Sequence, residues 1–533
     1  MDQPSGHPNL AEQGSRSEEI PGTEIMFGAH KASKSNLQSV LSPQPSNDPR
    51  DPLNWSRGWK YIAVTAQLLF LFVAVESALS MGPMFPFFAE EFSLNETEQN
   101  LLTGVCVLAL GFSNFIIVPC SNIFGRRVTS LICCLLGAGT CIWQALASSY
   151  SSLLAARVVN GVATATSETI LVQVVSDVFY LHERGVWTGV YFMGYFWGLF
   201  IGPVISGNVA QRFGWRSFFW LSLAMTVFNL MILLVGFPET KFNRPARPSE
   251  QLPAEKHQTE DDCKPELNQI ETVDSTPAIG SGRPSIAQFK VWQMPDPRWK
   301  SFILRDIFAP IHVFLFPIIL WAGLNVAGPA NILLYWNLTE SPVLGAPPYN
   351  FSPSAVGYSN FAFAVGGIIG LVTAGPLSDW VAMQATNRNH GIREAEMRLP
   401  ALIPFFITTA IGLVIGGLGY DRHWDWPVLL IIGYGFSGLC VTAVPTIAIA
   451  YAVDCYKPIS GEIMVVATVI KNTCGFAMSY WVTPLAAREG WMVPTMVEFA
   501  LTIGPMLLGI PIYLFGKSLR RLTRNSSVHL YEE

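Results

Sequence analysis

Long apolar segments, separated by shorter polar stretches, follow one another along most of the chain. Each is close to the roughly 20 residues that an α-helix needs to cross a bilayer. Six of them lie near 60–82, 101–121, 128–147, 152–175, 187–210 and 216–237, and six more lie near 308–336, 354–377, 399–420, 427–451, 459–486 and 493–515. The pattern predicts an all-α integral membrane protein with twelve transmembrane helices.

A long polar stretch divides the apolar segments into two groups of six. We therefore predict two six-helix halves, residues 60–237 and 308–516, joined by a cytosolic loop over residues 238–307. The polar tails, residues 1–59 and 517–533, are predicted to lie in the cytosol. The first tail is expected to be disordered, because it has too little apolar surface to offset the entropy of ordering. Transporters built from repeated halves place their substrate site near the midplane, between the halves.

Composition supports lipid as the solvent and excludes several classes of protein. Only 13% of the residues are charged, whereas soluble proteins carry about a quarter. The net charge of −5 belongs to tails and loops, and the absence of a basic patch argues against a nucleic-acid partner. None of the nine cysteines has the spacing of a metal knuckle, so we predict no metal and no other cofactor. No His cluster, nucleophile elbow or phosphate-binding loop is present, and we predict that the protein is not an enzyme.

The distribution of basic residues predicts the orientation of the chain. The loops between spans 1–2, 3–4 and 7–8 contain no Lys or Arg, whereas the loops 2–3, 6–7 and 8–9 and the C-terminal tail are basic. The positive-inside rule then places both termini in the cytosol. Glycosylation sequons at Asn95, Asn337 and Asn350 all fall in loops that this topology places outside, so these residues are predicted glycosylation sites.

Charged residues within the spans are the first functional candidates, because each costs roughly 2.5–3.5 kcal/mol on insertion scales. Glu76 lies in span 1, and Arg157 and Glu168 lie about three turns apart in span 4, on one face of a continuous helix. Glu168 could carry a proton or pair with a cationic substrate, with a structural contact to a polar group on another helix as the alternative. Lys471 in span 11 could balance a carboxylate or an anionic substrate. Glu462 stands near the start of that span, where stabilisation of the helix start is the competing role.

Span 7 contains candidates for gating or substrate contact. Asn325 and Tyr335 flank a Gly328-Pro329 pair, which predicts a broken helix of the kind that exposes backbone at substrate sites. A kink that serves only packing is the alternative. Glu498 in span 12 is predicted to lie at the membrane interface. An aromatic run in span 5 could line a cavity, with packing or lipid contact as the alternative: Tyr191, Phe192, Tyr195, Phe196 and Trp197.

Span 5 also contains the four residues Gly198, Gly202, Pro203 and Gly207. Glycines at this spacing let another helix approach closely, and Pro203 removes one backbone N–H and bends the helix. The stretch resembles the motif G-x-x-x-G-P-x-x-G on helix 5 of proton-coupled antiporters in the major facilitator superfamily. The resemblance implies that this helix lies at the interface of the two halves, restricts proton leak and favours export.

The loop between spans 2 and 3 resembles the cytoplasmic gate loop of the same superfamily through Gly125, Arg126 and Arg127. Asn122 stands where the motif has an aspartate, and Asp379 keeps that aspartate in the equivalent loop of the second half. Arg157 starts a phrase that resembles the span-4 motif R-x-x-x-G, whose arginine the resemblance links to proton coupling. Two further phrases resemble fungal twelve-span drug:proton antiporters: Phe213–Trp220 and Pro238–Phe242.

The resemblance implies the major facilitator fold and a proton-coupled secondary transporter. We expect it to move a small organic molecule (drug, toxin, secondary metabolite or cationic amine) by alternating access, as an exporting antiporter. A proton symporter that takes up a cationic nutrient is the alternative, and a non-transporting membrane nutrient sensor is the alternative from another class. The expected partners are the substrate, protons and the lipid bilayer, and the protein is expected to be a monomer. We expect it in the plasma membrane, with the vacuolar membrane as the alternative.

Overall fold

A computed structural model of the chain describes residues 23–25, 46, 48, 50–242, 280, 282–389, 392–456 and 459–523. The first half contains α1 Arg57–Leu79, α2 Phe85–Phe92, α3 Glu96–Phe124, α4 Arg126–Ala145, α5 Tyr150–Thr164, α6 Thr166–Val178, α7 Leu181–Phe213 and α8 Trp215–Gly236. The second half contains α9 Trp299–Val313, α10 Pro317–Leu344, α11 Pro353–Arg388, α12 Ile403–Asp421, α13 Trp426–Val428, α14 Gly435–Cys455, α15 Ser460–Glu489, α16 Met492–Leu507 and α17 Gly509–Thr523. A π-helical stretch, Leu429–Tyr434, joins α13 to α14.

The predicted number of spans is confirmed. Within the described residues, eleven helices, some of them interrupted, are long and apolar enough to cross a membrane. Helices α16 and α17 meet at a bend of 41° and pass the same test together, which gives twelve spans when the bent pair is counted as one. The fold is therefore all-α and membrane-spanning, with six spans on each side of the central loop. Below, "outer" denotes the side opposite to the one that the positive-inside rule assigns to the cytosol.

Span 7 begins and ends later than its predicted range of 308–336. Helix α9 ends at Val313, and α10 runs from Pro317 to Leu344. Proline is favoured in the first turn of a helix because its missing N–H has no helical acceptor there, and Pro317 accordingly starts the new helix. The predicted break at Gly328-Pro329 is wrong, since α10 continues through both residues.

Span 4 contains a short irregularity where the sequence predicted one regular helix. Helix α5 ends at Thr164 and α6 begins at Thr166, but Ala165 between them keeps helical backbone angles, and its N–H bonds to the carbonyl of Val162 at 3.4 Å. Arg157 and Glu168 therefore lie in one span, Tyr150–Val178, although their side chains have the different neighbours described below.

Helix α7 packs between the two halves, as its glycines predicted. A Cβ at Gly198 would lie 2.9 Å from the carbonyl oxygen of Phe72 in α1. A Cβ at Gly207 would lie 2.5 Å from the carbonyl oxygen of Pro353 in α11, which belongs to the second half. A Cβ at Gly202 would likewise overlap the hydroxyl of Ser80, the residue just after α1. The helix continues through Pro203.

A short two-stranded sheet contradicts part of the predicted disorder in the first tail. Strand β1, Thr23–Ile25, pairs antiparallel with β2, Ile392–Glu394, in the loop between spans 8 and 9. The partner strand satisfies the backbone groups of β1, which the local sequence cannot reveal. Most other residues of that tail, and most of the central loop up to residue 281, lie outside the described residues.

Candidate functional site

A cavity lies between the two halves. Its charged lining residues are Glu168 in α6 and Lys471 in α15. Four asparagines also line it: Asn331, Asn337, Asn360 and Asn472. Four of the five aromatic residues predicted to line a cavity do so: Tyr191, Phe192, Tyr195 and Phe196. The remaining walls are mostly aliphatic, so the cavity suits an organic molecule with an apolar body and a few polar groups.

An ion pair crosses this cavity from one half to the other. The ammonium of Lys471 bonds to Oε1 of Glu168, whose side chain is only 3% exposed. The ammonium also donates to the hydroxyl of Tyr195 at 3.2 Å, and that hydroxyl donates to Oε1 of Glu168 at 3.3 Å. Nδ2 of Asn472 donates to Oε2 at 3.2 Å. Lys471 therefore balances a carboxylate, which was one of the two roles proposed from the sequence.

Two local features position the ion pair. Glu168 lies in the first turn of α6, just after the irregularity at Ala165 in span 4, and its N–H bonds to the carbonyl of Ala165 at 3.2 Å. Helices α3 and α15 approach closely at Gly111, because a Cβ there would lie 2.7 Å from the Cβ of Asn472. The absence of a side chain at Gly111 thus lets Asn472 reach the carboxylate.

Arg157 lies outside the cavity lining and binds backbone carbonyls. Its fully buried guanidinium donates to the carbonyls of Leu102 at 2.9 Å and Ser77 at 3.0 Å, and to that of Ala78. It also donates to Oε1 of Gln144 at 3.2 Å. Arg157 thus ties the last turn of α1 to α3 and α4. Its role in proton coupling stays a prediction, and its bonds to three helices give it a structural role as well.

Glu76 and Glu462 also lie away from the cavity lining. Glu76 is fully buried and accepts a hydrogen bond from the hydroxyl of Ser222 in α8, at 3.3 Å. Glu462 is half-buried in the first turn of α15, the position where a carboxylate stabilises a helix start.

The two candidates in span 7 face α16 rather than the cavity. Asn325 donates to the carbonyl of Trp321 at 2.9 Å and to that of Pro505 at 3.3 Å. The hydroxyl of Tyr335 lies 2.7 Å from Oγ1 of Thr495. The residues of α10 that line the cavity recur every three to four positions, and they include Val326, Ala330, Leu333, Leu334 and Asn337.

The gate loop of the first half is held by Glu239, from the phrase that follows span 6. Gly125 has a φ of +103°, which favours glycine. The backbone N–H groups of Arg126 and Arg127 donate to the Glu239 carboxylate at 2.9 and 3.1 Å, and Arg126 pairs with Asp177 at 3.0 Å. Burial raises the pKa of the Glu239 carboxyl, and the backbone donors and the Arg126 charge act in the opposite direction.

The side chain of Arg127 closes the end of α8. Its buried guanidinium donates to the carbonyls of Leu233 and Leu234, both at 2.8 Å, and to that of Phe237. It also donates to the carbonyl of Phe289 at 3.0 Å. The last carbonyls of a helix lack some of their helical partners, and a positive charge near them interacts favourably with the helix dipole.

The second half repeats the arrangement of the gate loop. Arg398 pairs with Asp454 at 2.6 Å, as Arg126 pairs with Asp177 in the first half. Asp379 pairs with Arg398 at 3.0 Å, although 66% of its side chain is exposed.

The three sequons have different environments. Asn95 and Asn350 are exposed outside the spans, and their glycosylation stays a prediction. Asn337 lies inside α10 with only 8% of its surface exposed, so its predicted glycosylation is wrong. The error follows from the later end of span 7.

Sequence reasoning missed or misplaced two buried carboxylates. Glu340 lies in α10, and its Oε2 accepts from Nδ2 of Asn360 at 2.9 Å. A helix counted from Pro317 would have included it. Glu498 is fully buried and bonds to Thr502 at 3.2 Å, so its predicted position at the membrane interface is wrong.

Known proteins match the chain over most of its length. The family model described as Major Facilitator Superfamily matches residues 67–477. An uncharacterized MFS-type transporter of Schizosaccharomyces pombe is 28% identical over 95% of this chain and 93% of its own. Protein HOL1 of Saccharomyces cerevisiae is 26% identical over 95% and 96%. The probable efflux pump mfs2 of Aspergillus flavus is 24% identical over 84% and 100%.

The fold also matches a solved structure. The crystal structure of the human organic anion transporter MFSD10 (TETRAN) gives a TM-score of 0.53 at 14% identity, covering 84% of this chain and 99% of that one. At this identity the likeness concerns the fold alone. The family match over most of the chain, the relatives named as transporters and the membrane spans in two halves lead to one conclusion: the chain is a multi-pass membrane protein that belongs to the Major Facilitator Superfamily.

Proposed function

We propose that the protein is a proton-coupled secondary transporter that moves a small organic molecule by alternating access and works as an exporting antiporter. The observation that supports this proposal is the bond between Glu168 of the first half and Lys471 of the second half, inside the cavity.

Because of this bond, protonation of Glu168 would change the free-energy cost of separating the two halves. Glu168 is held by Lys471 and Asn472, both from the second half. Moving the halves apart breaks these bonds and leaves two buried charges without partners, which is costly. A proton on Glu168 removes one of those charges, so separation then costs less. Proton binding therefore favours one arrangement of the halves over the other.

Two observations support export. The glycine and proline residues of α7 match the antiporter motif and pack against both α1 and α11. One relative is named a probable efflux pump. We further propose a drug, toxin, secondary metabolite or cationic amine as the substrate class, the plasma membrane as the location and a monomer as the working unit.

Flux in sealed vesicles of known sidedness, with an imposed pH gradient and labelled amines, drugs and metabolites, tests this proposal. We expect a substrate to move against the flow of protons. Movement with the protons would make the protein an uptake symporter. No gradient-driven flux of any compound would instead support the non-transporting sensor.

Matched variants test the role of the ion pair. Glu168→Gln keeps the shape of the side chain but can neither ionise nor take up a proton, so we expect gradient-driven flux to be lost while substrate binding remains. Glu498→Gln changes a buried carboxylate that does not line the cavity, and we expect normal flux. Normal gradient-driven flux in Glu168→Gln would refute the assignment.

A further inference from the structure

Glu340 is a fully buried carboxylate that lies beside two residues of the cavity lining, Asn337 and Asn360, and apart from the ion pair. It follows Asn337 by three residues in α10, and Asn360 of α11 donates to its Oε2 at 2.9 Å. Its Oε1 is buried and has no hydrogen-bond partner among the described residues. On the side of the first half it meets Gly82, where a Cβ would lie 2.8 Å from Oε1. The carboxylate thus lies where the two halves touch.

A second acceptor lies beside it. Oδ1 of Asn337 is also buried without a hydrogen-bond partner among the described residues, and Asn337 is only 8% exposed. Asn337 and Asn360 both line the cavity, so the cavity reaches this group of residues. We call Asn337, Glu340 and Asn360 the Asn–Glu–Asn cluster.

The two charged residues that line the cavity do not supply a counterion for Glu340. Glu168 and Lys471 neutralise each other. The ion pairs of the described residues include none to Glu340. A buried carboxylate without a cation is costly, and a buried acceptor without a donor adds to that cost.

A protonated amine satisfies both requirements. Its positive charge balances Glu340, and its N–H groups can donate to Oε1 and to Oδ1 of Asn337. An anion would add repulsion, and a neutral group without donors would leave both acceptors unpaired. The aromatic and aliphatic walls of the cavity suit the apolar body of such a molecule.

We propose that the Asn–Glu–Asn cluster binds the ammonium group of the transported molecule, so that the substrate is a protonated amine with an apolar body. This proposal rests on the proposed function, since it names the substrate class for the same cavity. It assigns Glu340 the charge recognition and leaves Glu168 and Lys471 the coupling of the two halves.

Equilibrium binding to the purified full-length protein in lipid nanodiscs, without a pH gradient, tests the proposal. The probes are tyramine, which is a cation, N-acetyltyramine, which has the same ring without the charge, and 4-hydroxyphenylacetate, which is an anion. We expect tyramine to bind the most tightly, by about tenfold or more over N-acetyltyramine, the range of a charge-assisted hydrogen bond. Glu340→Gln should remove that preference and leave binding of N-acetyltyramine nearly unchanged. Glu498→Gln, the control in the same half, should keep the preference.

Three results would overturn the proposal: wild-type protein that binds tyramine no more tightly than N-acetyltyramine, a Glu340→Gln variant that keeps the preference, or Glu340→Gln that changes only the pH dependence of flux. The last result would make Glu340 a proton site. Folding of each variant is checked by a monodisperse elution profile and its melting curve. Because binding is measured without a gradient, failure of proton-driven flux would refute the proposed coupling and leave the ammonium site standing.

Discussion

Gly357 of α11 lies against Pro203 of α7, and a Cβ at Gly357 would be only 2.6 Å from the Pro203 carbonyl oxygen. The two helices belong to different halves, so this contact sets how closely the halves meet on the outer side. We expect Gly357→Val to force them apart and to lower the melting temperature by several degrees, since overpacking costs about 1–3 kcal/mol. Gly139→Val changes an exposed glycine of α4 with no other group within 4 Å of its Cβ position, and should leave the melting temperature nearly unchanged. Equal effects of the two variants would contradict the assignment.

The ion pair predicts a double-mutant cycle. Lys471→Ala leaves Glu168 as a buried charge without its counterion, which we expect to destabilise the protein by about 3–5 kcal/mol. Removing the Glu168 carboxylate as well, with Glu168→Ala, should restore part of that loss. The exposed pair of Lys517 with Glu394 is the control, and its cycle should give about 0–1 kcal/mol. Unfolding in detergent measures both cycles, and additive losses for the buried pair would disprove the coupling.

Arg157→Lys tests the structural role of that arginine. A lysine ammonium has three donors and cannot reproduce the planar set of bonds that the guanidinium makes to α1 and α3. We expect a loss of stability of about 1–3 kcal/mol for each buried acceptor left unpaired. Arg388→Lys, an exposed change at the end of α11, is the control. A variant as stable as wild type but without proton-driven flux would assign Arg157 to coupling rather than to structure.

Asn122 both donates and accepts a hydrogen bond through its side chain, which the ionised aspartate of the family motif could not do. Its Nδ2 donates to Oδ2 of Asp306 at 2.5 Å, and its Oδ1 accepts from Arg126 at 2.9 Å. Asn122→Asp would place two carboxylates together, and Asp306→Asn would remove the charge of one of them while keeping an acceptor oxygen. We expect the two changes to couple by about 0.5–3 kcal/mol, the double variant being better than the sum of the single variants. Independent effects on the melting temperature would show that this bond contributes nothing.

The position of Asn337 inside α10 predicts its glycosylation state. Asn337→Gln should leave the electrophoretic mobility unchanged before and after treatment with an N-glycosidase. Any glycan should be lost only in Asn95→Gln or Asn350→Gln, whose side chains are exposed. A mobility shift in Asn337→Gln would contradict the later end of span 7.

The sequence predicted the number of spans better than the direction in which their polar residues face. Apolar length decides whether a segment can cross a bilayer, and that property is local. Which side of a helix faces the cavity is not a local property, because α10 is apolar around most of its circumference and offers no periodic polar stripe. Asn325 and Tyr335 were therefore proposed for the cavity, whereas Asn337, which was expected in an outer loop, lines it. One of the two roles proposed for Lys471, balancing a carboxylate, agrees with its pair with Glu168, because a charge in a span needs a partner wherever it lies. The pairing of Thr23–Ile25 with a distant loop left no local signal.

The pairing of β1 with β2 joins the start of the chain to the second half, so the polypeptide links its halves once through the central loop and once through main-chain hydrogen bonds. Helix α1 belongs to the first half, but strand β1, which precedes it in the chain, is bonded to a loop of the second half. The two halves are thus fastened to each other on both sides of the first six spans in the sequence.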